Sequence, residues 1–140
     1  MTLFYAHTSA VIRTYLTDGG ELGELLLNGP DPVVTSELTR VELAAAARES
    51  GVADPNVVLD RFDKDCGEGG AFTLLRLDSP VVLPLARRLV TEHAVRTLDA
   101  IHLAVALTDG TALAAGEPVV LVTRDQQQAV AAKALGLPVL

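Results

Sequence analysis

Cysteine is almost absent from this chain. Cys66 stands alone, so no intramolecular disulfide framework can form, and a reducing, cytoplasmic setting is the expectation. No histidine lies at nucleophile spacing from Cys66, which is expected to be inert. Tryptophan is missing and aromatic residues make up only 4%, so an aromatic platform for stacking bases is not indicated. Positive charge is also scarce. The 11 Lys and Arg are outnumbered by 18 Asp and Glu, leaving a net charge of -7. That balance argues against a broad basic face that would neutralise duplex DNA. It leaves open an acidic site where cations bridge carboxylates to phosphates.

Long apolar runs are missing too. None approaches the about 20 residues needed to span a bilayer, and no basic segment precedes Leu3-Phe4-Tyr5, so neither a membrane span nor a signal peptide is expected. Nor is there a G-x-S-x-G elbow, a P-loop, a dinucleotide G-x-G-x-x-G or a Cys/His zinc spacing. A phospho-receiver domain would want adjacent acids after its first strand and a lysine after a late one; this chain has His7 in the first place and no lysine in the second.

What is present is aliphatic. With 49% hydrophobic residues and few aromatics, the core must be built from Ala, Val, Leu and Ile. At 140 residues, a single domain over 1–140 is expected, without repeats or linkers. Short apolar strands alternate with amphipathic helices. Strands are expected at residues 2–6, 33–35, 72–77 and 119–123, with a last edge strand at 138–140. The apolar run Val119-Val120-Leu121-Val122 reads as a central strand buried on both faces. Helices are expected after each strand: one carrying Val11 and Tyr15, a short one with Leu22 and Leu26, one from Leu38 to near Gly51, and one opened by Pro55. Further on, Ser79 as N-cap with Pro80 at the first turn starts a helix running to His93. Thr97 caps a helix from 98 to 113, and Asp125 starts one ending at Gly136. Such alternation implies an α/β fold in three α/β/α layers around a mostly parallel sheet.

In parallel open sheets, ligands sit beyond the carboxyl ends of the strands. His7, Glu42, Asp99 and Asp125 all fall there, far apart in sequence yet able to converge on one pocket. Carboxylates gathered in one cleft repel one another, and a divalent cation relieves that repulsion. Mg²⁺ or Mn²⁺ would suit the oxygens and leave room for a phosphodiester. Each acid also has an ordinary explanation. Asp125 can be a helix N-cap, Asp99 can complement a helix dipole, and Glu42 can be a solvated helix residue.

Four segments carry a family resemblance. Phe4-Tyr5-Ala6-His7-Thr8-Ser9-Ala10 resembles the opening motif of PIN domains, except that the position of His7 is normally aspartate. Thr35-Ser36-Glu37-Leu38-Thr39-Arg40-Val41-Glu42-Leu43 resembles the second, Arg96-Thr97-Leu98-Asp99-Ala100-Ile101-His102-Leu103-Ala104 the third, and Val122-Thr123-Arg124-Asp125 the fourth. They occur in the family's order across nearly the whole chain, most similar to VapC-type toxins. The resemblance implies an Mg²⁺- or Mn²⁺-dependent endoribonuclease, held inactive by a cognate VapB-like antitoxin, and a homodimer. Its catalytic acids would be Glu42, Asp99 and Asp125, and its metal residues these three with His7.

His7 is the departure. Imidazole offers nitrogen without charge where the family offers an anionic oxygen, and Mg²⁺ binds imidazole poorly whereas Mn²⁺ tolerates it better. The residues leave open a weakened or lost site, or one working with Mn²⁺. They likewise leave open an RNase toxin, or a degenerate domain that binds antitoxin or RNA without cleaving. Thr8, Ser9 and Thr123 are candidates for supporting the metal site, with helix capping or strand packing as the ordinary alternatives. His102 reads as a packing or buried hydrogen-bonding histidine, and His93 as a partner of a helix C-terminus. Arg40, Arg96 and Arg124 could meet RNA phosphates or an acidic antitoxin segment, or simply be solvated.

Overall fold

The computed structural model spans Met1–Leu140. Four strands, β1 (Leu3–Ala6), β2 (Val33–Ser36), β3 (Phe72–Leu75) and β4 (Val119–Val122), form one sheet in the order β3-β2-β1-β4. Every pairing is parallel, with Phe4 opposite Val33 and Val120, and Ala6 opposite Val122. Eight α-helices join them: α1 (Thr8–Leu16), α2 (Gly20–Asn28), α3 (Leu38–Glu49), α4 (Pro55–Asp65), α5 (Ser79–Glu92), α6 (Thr97–Val105), α7 (Thr111–Ala114) and α8 (Gln126–Ala134).

The sheet is buried on both faces because successive strand residues serve opposite layers. Leu3, Tyr5, Val34, Val119 and Leu121 pack into one core with α5, α6, α7 and α8. Phe4, Ala6, Val33, Phe72 and Val122 pack into the other with α1 to α4. This is the expected three-layer α/β/α arrangement. Three of the few aromatics, Tyr15, Phe62 and Phe72, gather in the second core, with the Phe62 ring 5.4 Å from Tyr15 and 5.6 Å from Phe72. No helix is long and apolar enough to cross a membrane.

Some expectations need correction. β4 is not central: it ends the strand order beside β1, and only one bridge, Leu121 to Val139, lies beyond it. It stays largely buried because the residues after α8 cover its free edge, through Leu121 N–H to Pro138 O and Leu140 N–H to Leu121 O. The same single bridge is all that forms of the last strand expected at 138–140. The long helix expected from 98 to 113 is interrupted by a π-helical turn at Ala106–Gly110. There the Thr111 hydroxyl bonds Ala106 O five residues back. Neither Ser79 nor Thr97 is a cap. Each is the first helical residue, after Asp78 and Arg96, and Pro80 then falls second, where its missing N–H is still one that no helical carbonyl needs.

The topology sets the site. The chain runs outward from β1 to β3 on one side, then returns to add β4 on the other. This makes the β1/β4 boundary the point where crossovers diverge and a crevice opens.

Phe62 is fully buried and shared by α4, Tyr15 and Phe72. Phe62→Ala is therefore expected to cost about 3–5 kcal/mol. Urea denaturation measures it, and a loss near zero would contradict this packing.

Candidate functional site

The crevice begins with strand register. Ala6 and Val122 are opposite each other, so His7 and Thr123 leave the sheet side by side, and His7 N–H extends the ladder to Val122 O at 2.9 Å. β2 turns into α3 after one residue, which brings Glu42 in the second turn of α3 across from α1. The first turn of α6 supplies Asp99, and Asp125 directly precedes α8. His7, Thr8, Ser9, Glu42, Arg96, Asp99 and Asp125 line one cleft of about 620 Å³, with Ile12, Ala45, Ala46 and Leu98 on its apolar walls. The four residues picked from sequence thus share a cavity.

Their oxygens and nitrogens are already engaged. His7 Nε2 lies 2.9 Å from Asp99 Oδ1, and its Nδ1 meets Ser9 Oγ at 2.8 Å and the Ser9 backbone N–H at 3.3 Å. Arg96 Nε donates to Asp99 Oδ2 at 2.9 Å, and its Nη2 donates to Asp125 Oδ2. Asp125 Oδ1 accepts from the backbone N–H groups of Gln127 and Gln128, so this acid is the helix N-cap and a cleft residue at once. Glu42 Oε1 receives the Thr8 hydroxyl at 2.8 Å and His102 Nε2 at 2.5 Å. Beyond it, His102 Nδ1 meets the Tyr5 hydroxyl at 2.8 Å. His102 is fully buried, as a hydrogen-bonding core histidine should be, and it also touches a cleft acid. The two imidazoles stand edge to face, 5.0 Å apart.

Electrostatics follow from these contacts. Burial acts to raise the Asp99 pKa, but the hydrogen bond from His7, joined by the hydrogen bond and charge of Arg96, overcomes it and holds Asp99 below its ordinary 3.8. Burial opposes ionisation of Glu42 in the same way, and His102 and the Thr8 hydroxyl together leave it below 4.5. The buried Tyr5 hydroxyl is pushed far up by desolvation and stays protonated. Cys66, half-buried near Asp63 and Asp65, is pushed up to about 12, which agrees with an inert thiol.

Thr8, Ser9 and Thr123 touch the site as well as local backbone. Thr8 bonds Glu42, while Thr123 Oγ1 accepts from Asp125 N–H and lies 3.2 Å from His7 Nδ1. Ser9, His7 and Asp99 are connected like a nucleophilic triad, but Ser9 Oγ is clamped from behind by Arg124 N–H at 2.8 Å and Thr123 at 3.1 Å. Those contacts describe a joint between α1 and the β4 loop. Of the three arginines, Arg96 alone reaches the acids; Arg40 pairs with Asp63, and Arg124 turns to Thr123 O. His93 ends α5, its N–H bonded to Leu89 O.

Two contributors escape the sequence reading. Thr39 joins Thr35 at 2.8 Å and Thr8 at 3.3 Å, tying α3 to β2 and α1. Gln128, fully buried, donates from Nε2 to Asp99 O at 3.1 Å and so fastens α8 to α6. Both carry a signal that could have exposed them. Thr39 and Gln128, like His102, stand three residues from an acid on one helix face.

A hard divalent ion asks for several free oxygens aimed at one point. Here only Glu42 Oε2 among the three acids' oxygens has no hydrogen bond, and no three His, Cys, Asp or Glu side chains are disposed to hold an ion. As arranged, the residues do not fit Mg²⁺ or Mn²⁺.

The PIN domain model matches residues 7–134. No curated protein matches the sequence. Among solved structures, a chain of a toxin–antitoxin complex from Klebsiella pneumoniae shares the fold, with a TM-score of 0.67 at 20% identity, covering 100% of this chain and 96% of that one.

The lowered carboxyls give stability a pH signature. Because Asp99 and Glu42 bind protons less readily folded than unfolded, their contribution is complete above the ordinary carboxyl range. It is lost as pH falls through their lowered folded values. Stability is expected to fall steeply below about pH 4, and Asp99→Asn should flatten that acid limb while lowering stability at neutral pH. Equal acid slopes in denaturant titrations of the two proteins would contradict the assigned pairing.

Proposed function

Because the chain belongs to the PIN domain family, we propose that it is the toxin half of a toxin–antitoxin pair. In this reading, residues 1–140 form one PIN-type endoribonuclease scaffold directed at RNA phosphodiester bonds, and hydrolysis by the chain as it stands is weakened by His7. Glu42, Asp99 and Asp125 are the catalytic acids of that scaffold, and Mg²⁺ or Mn²⁺ is the cofactor it would use. The observation that carries the reading is that these three acids, brought from three helices, line one cleft with His7 at the β1/β4 boundary. Convergence of that kind places anionic oxygens where a phosphodiester and a cation could meet.

Arg96, two-thirds exposed on the cleft's lip, is suited to hold a phosphate of the RNA. Thr8, Ser9 and Thr123 orient the acids rather than react. The remaining partners in this reading are a VapB-like antitoxin and a second copy of the chain, in the cytoplasm. The resemblance to a chain from a toxin–antitoxin complex supports the scaffold.

A second reading, a catalytically degenerate domain that binds antitoxin or RNA, is favoured by one observation. The acids already spend their oxygens on His7, Arg96, His102 and backbone amides.

Cleavage of a structured RNA panel in Mg²⁺ or Mn²⁺ separates the outcomes. His7→Asp is expected to raise metal-dependent cleavage by at least about tenfold, and Glu42→Gln in that background should return it to the wild-type level or below. Equal cleavage by the wild type and His7→Asp would contradict the proposal.

A further inference from the structure

We infer that His7 is a locked hydrogen-bonding strut that holds Asp99 in place of a metal ion, so that the cleft of this chain stays assembled without a divalent cation. The inference starts from proton bookkeeping at one ring. The Ser9 backbone N–H can only donate, and it points at His7 Nδ1 at 3.3 Å, as expected where His7 is the N-cap of α1. Nδ1 must therefore accept. The ring proton then sits on Nε2, where it is donated to Asp99 Oδ1 at 2.9 Å. Both ring nitrogens are spent, and no imidazole lone pair is left to face the cleft.

An aspartate at this position could cap α1 with one oxygen and present the other to a cation. Imidazole also caps the helix, through Nδ1 at 3.3 Å, but its second nitrogen carries a proton, and a proton draws the neighbouring carboxylate onto itself. The bond is well sheltered: His7 is 4% exposed and Asp99 6%. Asp99 is also fixed from three other directions, by Arg96 at Oδ2, by Gln128 at its carbonyl, and by its place in the first turn of α6. Glu42 is held in parallel by His102 and Thr8.

The cluster thus meets the demand of its carboxylates from within the chain, with a donor for every oxygen of Asp99 and Asp125 and two for Glu42 Oε1. An entering ion would find only Glu42 Oε2 free and would have to break the His7–Asp99 or the Arg96–Asp125 contact to gain a second oxygen.

This rests on the PIN reading only for which ion to test, and it can fail independently, since RNA plays no part in the measurement. Thermal unfolding of the wild type and His7→Asp is followed in EDTA and across titrations of MnCl₂ and MgCl₂. The wild type is expected to keep the same Tm throughout. His7→Asp, with an extra carboxylate in the cleft, is expected to melt lower in EDTA. It should then rise saturably with Mn²⁺, by on the order of 5–10 °C once the ion exceeds its Kd a hundredfold. Saturable stabilisation of the wild type by either ion, removed by Glu42→Gln, would overturn the inference. That arm decides the matter even if His7→Asp does not fold. A folded His7→Asp indifferent to both ions would overturn it too.

Discussion

The hydrogen bond from His7 Nε2–H to Asp99 Oδ1 is the contact on which the rest of the cleft turns. It joins the end of β1 to the start of α6 across a sequence separation of 92, and it does so with almost no solvent access. A carboxylate this buried is costly unless its oxygens are filled, and the cost appears in the upward push of burial on Asp99. His7 and Arg96 more than offset it. Remove the imidazole and Asp99 keeps only a largely exposed arginine, whose screened charge counts for much less.

That contact exists because of sheet order. With β4 placed next to β1 and in register at Ala6 and Val122, His7, Thr123 and Asp125 come together with no long-range adjustment of backbone. The two helices facing the cleft from opposite layers, α3 and α6, bring Glu42 and Asp99 and also a buried histidine linking them, since His102 of α6 reaches Glu42 of α3. The cleft is therefore braced across the layers of the fold by polar contacts as well as by the two apolar cores. Such networks fix a unique arrangement when every member is satisfied. The one buried side-chain atom left without a partner is Gln128 Oε1, on the amide whose Nε2 donates to Asp99 O.

Much of this was legible in the sequence, for a reason that differs by element. Strands and most helices declared themselves through apolar period and turn residues, and the four cleft positions followed from the rule that parallel sheets place chemistry at strand ends. β4 was misread as central because a continuous apolar run reports burial on two faces, not the number of neighbouring strands. The π-helical turn was invisible because residues 98–113 carry no Pro that would interrupt a helical period there. Helix starts at Ser79 and Thr97 were misplaced by one residue, since capping depends on backbone angles that composition does not report. At the cleft, the identity of the acids was readable but their occupancy was not. Nothing in the spacing says that Asp99 and Asp125 share Arg96, or that His7 turns its protonated nitrogen to Asp99.

The central claim concerns one proton, so it is best tested at that proton. Long-range ¹H–¹⁵N correlation spectra of the wild-type protein at neutral pH read the state of each imidazole nitrogen directly. The account requires His7 to be a fixed Nε2–H tautomer with an unprotonated Nδ1, unchanged when Mn²⁺ is replaced by EDTA or when diamagnetic Mg²⁺ is added. A His7 ring protonated at Nδ1 with Nε2 bare and free for a ligand would contradict it.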